Sequence, residues 1–428
     1  MSKNMEQSDI LGGRSIEGLP NVKENFLTLE ENIDYETVLL NENIKSEHPY
    51  QEFAVFISPS LGEKELEIEA PHWRTITHKD IFTSLKNPYN KILDEDCFFE
   101  VNTKGIGYTK ASALGQNIED EVYWSAEDQS NEHDHGWKVF GLSSKVDYFL
   151  YKNQDIMDKS LFLHSKGLRT EVYWAVEKLK RIPYRGEMQT TKELKNIGVI
   201  PDDRSYQPHM AQRVMKTNSR IEELYRSDER REELFVKMFE AYNKEAEFDR
   251  YSSLNIESIT DQRKFQEEFI KRMGSNLAVL FCNGYMHTAL HSSNITLAAE
   301  IADIGPMMHI SQDEKNKMGW NTMYKGLNYG HIKDIRDTCY GLRYLRRSFR
   351  YLGKARLDSE DYFNSFKNGI NEYLDENKND ISDERRGVFL WWSETIARKI
   401  FIENINLPSL EKDDTLSFSD WGIDEEIL

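Results

Sequence analysis

Paired cysteines, long apolar runs and an excess of positive charge are all missing from this chain, and each absence excludes a class of protein. Its 3 cysteines, Cys97, Cys282 and Cys339, are far apart and form no CxxC unit. That argues against a disulfide scaffold and against a cysteine-ligated structural zinc. No stretch approaches the ~18 consecutive apolar residues of a membrane-spanning helix. The first residues, MSKNMEQSDILGGRSIEG, lack the apolar centre of a secretory leader. The expected location is therefore cytoplasmic, although an export machine that reads a polar signal is compatible with this sequence. Acidic residues outnumber basic ones by 74 to 55, a net charge of −19, so indiscriminate binding to nucleic acid is not expected.

What is present is a chain able to fold. Hydrophobic residues make up 39% of 428 positions, enough for real cores and more length than one core usually organises. Residues 1–20 are polar and contain Gly12-Gly13, as a flexible arm would. FFEVNTKGIGYTK (98–110) reads as a strand entering a Gly105-x-Gly107 turn, and 115–165, acidic in its first half, reads as an exposed insertion. LRTEVYWAVEKLKRI (168–182) has apolar residues at a helical period and is closed by Pro183, so the spacing predicts a helix that carries Glu171. Beyond residue 216 long charged helices are expected, over 219–248 and 261–286. The fold class expected is α+β, with a strand-containing lobe over 21–216 and a mainly helical lobe over 217–428.

The most informative stretch is NGYMHTALHSSNITLAAEIADIGP (283–306). His287 and His291 are four apart, but no glutamate follows the first as in HExxH, so the pair reads more readily as structural than as a zinc site. NITL and EIAD are β-branched runs around Ala298-Ala299. A two-residue turn there would set Asn294 opposite Asp303. An amide oxygen and a carboxylate at the mouth of a hairpin suit Mg²⁺, which takes one or two protein oxygens and fills its shell with water and phosphate.

Three local motifs, in order, carry a family resemblance. KGIGYT (104–109), RVMKTNSR (213–220) and GYMHTALHSSNITLAAEIADIGP (284–306) resemble the KGSGRT, RVAPSH-x-R and GxxHGVxNTDNMSIxxxxxDYGP segments of the selenoprotein O family. Members of that family are kinase-like proteins that transfer AMP instead of phosphate. The resemblance implies a protein-kinase-like two-lobed fold, with ATP and Mg²⁺ (or Mn²⁺) as cofactors and a protein or peptide hydroxyl as acceptor. Lys104, with Gly105 and Gly107, would contact the nucleotide phosphates, and Glu171 would pair with Lys104. Arg213 and Arg220 would bind the terminal phosphates, and Asn294 and Asp303 would hold the metal. Such transfers depend on positioning and charge neutralisation, which Lys, the Arg fork and a cation supply.

The chain also departs from the family pattern. Ser293 stands where the family has an aspartate thought to act as base, and serine is a poor proton acceptor at neutral pH. With Asp303, the implied catalytic positions are thus Ser293 and His291, the latter as a stand-in base. The gap from Lys104 to Glu171 is long, and the family's cysteine or selenocysteine near the C-terminus has no counterpart beyond Cys339. Three functions stay open at this point: AMP transfer, γ-phosphate transfer, or nucleotide or partner binding without chemistry. Outside these motifs, GLRYLRRSFRYLGKAR (341–356) is a basic face on an acidic chain. It reads as a solvated helix face or as a docking face for an acidic protein. The Trp391-Trp392 pair reads as part of a core helix.

Overall fold

The computed structural model describes residues 28–30, 34–54, 56–58, 64–65, 75–86, 95–104, 146–184, 187–197, 209–305, 307–311, 320 and 322–408. The arm 1–20, Gly105, Gly107 and the first part of the 115–165 segment, with its Glu132–His135 cluster, lie outside the described residues. The architecture is mixed α+β, in two compact units. Met1–Phe162 with Val172–Asn218 makes the first, and Leu163–Glu171 with Ser219–Leu428 the second.

The first unit is built on a six-stranded antiparallel sheet. Its strands are β1 (Tyr35–Leu40), β2 (Ile44–Ser46), β3 (Thr75–Lys86), β4 (Glu95–Lys104), β5 (Val172–Leu179) and β6 (His209–Met215). They lie in the order β1-β5-β6-β4-β3-β2. Register shifts at Thr37/Leu39, Lys79/Thr83 and Gln212/Arg213 curl the sheet, as bulges do. Phe53, Phe98, Val101, Val172, Trp174 and Val214 share the core on one side.

Two expectations fail here. Residues 168–182 are not a helix: VYWAVEKL is the inner strand β5, and Arg181–Tyr184 begins a hairpin with Glu187–Thr190. Its β-branched and aromatic side chains are buried almost without interruption, and a strand covered on both faces shows no alternation to reveal it. Pro183 sits in a two-stranded hairpin, where its missing N–H is tolerated. Glu171 therefore precedes a strand. The helix lies earlier, at α1 (Val146–Ser165), inside the segment expected to be an exposed insertion. Ile156, Met157 and Leu163 on it are buried.

The second unit is mainly helical: α2 (Ile221–Arg226), α3 (Arg231–Asp249), α4 (Ile259–Cys282), α5 (Tyr329–Tyr351), α6 (Ser359–Glu376) and α7 (Asp383–Phe401). The single helix expected over 219–248 is broken. Arg231 donates from Nε to Leu224 O at 3.0 Å and from Nη2 to Tyr225 O at 2.9 Å, which caps the end of α2. Side chains of Ser258, Asp358 and Ser382 accept amides of Asp261, Asp361 and Arg385, opening α4, α6 and α7. α4 and α6 approach at two glycines: a Cβ on Gly274 would stand 2.3 Å from Phe366 O, and one on Gly369 1.9 Å from Lys271 O. Trp392 is fully buried, as a core helix requires. Among the described residues no helix is long and apolar enough to cross a membrane.

Candidate functional site

In the first unit, the pairing of β6 with β4 decides where the expected phosphate ligands stand. Ala211 lies opposite Lys104 and Arg213 opposite Asn102. Directly opposed residues share a face, and so do alternate residues along a strand. Lys104 and Arg213 are therefore diagonal neighbours on one face of the sheet, with Cβ atoms about 7 Å apart by strand geometry. Both are buried, at 6% and 3% exposure. Arg213 Nε donates to Asn102 Oδ1 at 2.7 Å, and Asn102 Nδ2 donates to Thr77 Oγ1 at 3.1 Å. The same Thr77 oxygen accepts Asn218 Nδ2 at 3.1 Å, while the Asn218 amide donates to Glu100 Oε2 at 2.5 Å. A polar network, invisible in the motifs, thus fixes the guanidinium from Nε.

In the second unit, the stretch 283–305 forms a loop held from beneath by α5. Asp334, wholly buried on that helix, accepts the backbone amides of His287 and Thr288 at 2.6 and 2.8 Å. Thr288 has a left-handed backbone, φ 64, and this double anchor holds it there. Burial pushes the Asp334 carboxyl up to about 8, against the pull of the two amides. Sequence reading missed this residue. Its signal was an acid on the buried stripe of α5, in line with Gly341 and Leu345.

His287 is structural. Nε2 donates to Ala302 O at 3.0 Å, and Nδ1 accepts the Ala289 amide at 3.3 Å, so both ring nitrogens are occupied. Burial lowers its pKa to about 4, which keeps the ring neutral. Among the described residues no group of three His, Cys, Asp or Glu side chains is arranged to hold a metal.

The hairpin register differs from the one expected. Thr296 N donates to Glu300 O at 2.9 Å, Ile295 bridges Ile301, and Ala302 N donates to Asn294 O at 3.0 Å. Leu297–Ala299 is a three-residue loop with Ala299 at φ 59, so Asn294 stands opposite Ala302, and Asp303 is one residue beyond the expected pairing. Ala-Ala suits no tight primed turn, and a three-residue loop ending in a left-handed residue is the usual alternative. Thr296 Oγ1 accepts the amides of Ala298 and Glu300 and secures it.

Asn294 and Asp303, both half-buried, thus stand at the same end of the hairpin but not as an opposed pair. Asn294 Nδ2 donates to Ala289 O at 2.8 Å, which turns the amide so that Oδ1 is presented outward. Asp303 has a left-handed backbone, φ 57. The next amide, Ile304 N–H, donates to Glu171 Oε1 at 3.2 Å, so Glu171 buttresses the Asp303 turn. An amide oxygen and a carboxylate are ligand types that suit Mg²⁺ or Mn²⁺ better than zinc.

Ser293 and His291 are also brought together, with Oγ and Nδ1 2.5 Å apart. Desolvation leads in lowering the His291 pKa, opposed by Asp337 and Asp303. The residue itself is solvent-exposed, which moderates that shift. Arg220 begins α2 and bridges Thr296, beside the hairpin and in a different unit from Arg213. No family model matches the chain, and no curated protein is similar to it.

Proposed function

We propose that the chain is a kinase-like protein, similar to the selenoprotein O family, that binds ATP with Mg²⁺ and transfers AMP to a hydroxyl of a protein or peptide. The observation that carries this reading is the placement of Lys104 and Arg213 on one buried sheet face of a strongly acidic chain. Two adjacent buried cations suit a ligand rich in negative oxygens. Strand β4 bears the lysine and helix α1 follows it in the chain, the strand-then-helix order of the kinase fold.

In this reading Lys104 neutralises phosphate charge and the Arg213 fork orients a phosphate. Asn294 Oδ1 and the Asp303 carboxylate would hold the cation, which supplies charge neutralisation at the phosphates when bound. Glu171 and Asp334 keep those two ligands in place through the Ile304, His287 and Thr288 amides. Ser293 brings no carboxylate, so proton removal from the acceptor falls to His291.

Incubation with ATP labelled separately at the α and γ positions tests the reading. Label from α on protein, lost in Asp303→Ala, is the expected result. Label from γ would replace AMP transfer by kinase chemistry on the same fold. Mg-ATP stabilisation without label would leave a nucleotide-binding module, the outcome that Ser293 favours. Absence of both would end the nucleotide reading.

A further inference from the structure

Arg343, Arg347 and Arg350 stand on one stripe of α5, at i, i+4 and i+7. Arg343 donates to Asn406 Oδ1 at 2.8 Å, and none of the three has a carboxylate partner among the described residues. Burial and the adjacent Arg347 charge pull the Arg343 pKa below its ordinary value. In a chain with 74 acids and 55 bases, three neighbouring arginines without an acid among the described residues stand out.

The same stripe carries exposed aromatic surface. Tyr225 and Tyr344 pack with ring centroids 4.5 Å apart and planes tilted by 32°, and Tyr351 lies 6.1 Å from Tyr225. Tyr351 is 56% exposed. Arg231 covers one side of it at 4.9 Å, and Asp228 answers that charge at 2.5 Å. Lys354, at the end of the stripe, has Glu232 at 4.0 Å. Among the described residues, then, Arg343, Arg347 and Arg350 have no carboxylate partner, and they lie beside a ledge of tilted tyrosine rings.

We propose that this patch docks an Asp/Glu-rich segment of a partner protein. The arginine forks receive its carboxylates, and the tyrosines cover an aromatic or aliphatic side chain set between them. Charge selects the occupant: a net −19 opposes the long phosphate run of a nucleic acid or an anionic membrane, whereas a short acidic segment meets only the local field. The proposal does not depend on the nucleotide reading.

The test is fluorescence anisotropy of the full chain with a labelled Asp/Glu-rich peptide carrying a central Phe, against its Asn/Gln counterpart. Expected is binding of the acidic peptide alone, weakened by salt and at least tenfold by Arg347→Glu with Arg350→Glu. Lys264→Glu, an equal charge change per site on an exposed part of α4, should leave binding nearly intact. Thermal midpoints close to that of the parent would show that the variants are folded. Equal binding of the neutral peptide, or tighter binding to duplex DNA or phosphatidylserine vesicles, would overturn the proposal. So would self-association that the arginine variants abolish, since it would assign the patch to a second copy of the chain.

Discussion

Asp334 accepts the backbone amide of His287 at 2.6 Å from a helix that follows it by more than forty residues. The same carboxylate takes the Thr288 amide. Burial raises its pKa from 3.8 to about 8. Between those values the unfolded chain has released the proton that the folded chain retains. The folded state then binds more protons, so this group's contribution is full below the unfolded value and is lost as pH rises towards about 8. Asp334→Asn, which cannot ionise, should flatten the fall in urea midpoint between about pH 5 and 8. An unchanged slope would refute the assignment. Asp334→Ala should cost about 2–5 kcal/mol, because two buried amides lose their acceptor.

The crossing of α4 and α6 should tolerate no side chain at its glycines. A Cβ at Gly369 would stand 1.9 Å from Lys271 O, a backbone atom that cannot swing aside. Gly369→Ala and Gly274→Ala should each destabilise by several kcal/mol, or about 3 at the least. Gly387 on α7 has nothing within 4 Å of its added Cβ. Gly387→Ala should therefore stabilise by about 0.5–1 kcal/mol through helix propensity. Chemical denaturation of the three variants gives the comparison, and equal effects would contradict the packing.

Glu245 binds two arginines and indirectly steadies the hairpin tip. Arg169 reaches it at 2.6 and 2.9 Å and Arg272 at 2.9 Å, while Arg169 Nη2 also donates to Ala298 O at 3.1 Å. Glu245→Ala should cost about 3 kcal/mol, somewhat less than for a fully buried pair because both arginines keep some solvent. Arg169→Met in the same chain should recover part of that loss, since one orphaned charge is removed. Purely additive losses in the double variant would show that the two residues are not coupled.

The regions that sequence reading served well share a physical feature, and so do those it missed. The helical character of the second unit was legible in its long charged segments, although the helix expected over 219–248 is two helices in the structure. Strand β5 was misread because a strand buried on both faces carries no period of two, and Val172, Ala175, Val176 and Leu179 fit a helical spacing by chance. The hairpin between Asn294 and Asp303 was legible from its two β-branched runs, yet its register was off by one because Ala298-Ala299 encodes no particular turn. Asp334, Asn102 and Asn218 left no mark, since what they do is bond to backbone or to partners remote in sequence. Glu171 was picked out with the wrong element beneath it: it holds the Ile304 amide from the approach to a strand.

The sheet face of the first unit gives the most direct check on nucleotide binding. Arg213 Nε is committed to Asn102 at 2.7 Å, and that bond fixes the plane of the guanidinium. Arg213→Lys keeps the charge but loses both the fork and the bond to Asn102. If phosphate oxygens are gripped bidentately there, Mg-ATP should stabilise this variant less, with an apparent Kd raised about tenfold, the 1.4 kcal/mol scale of one charge-assisted bond. Asn102→Ala, which leaves Arg213 in place but unbraced, should fall between the variant and the parent. Thermal shift against Mg-ATP concentration measures all three. A titration that Arg213→Lys leaves unmoved would place the nucleotide elsewhere and reduce Arg213 to a strut between β6 and β4.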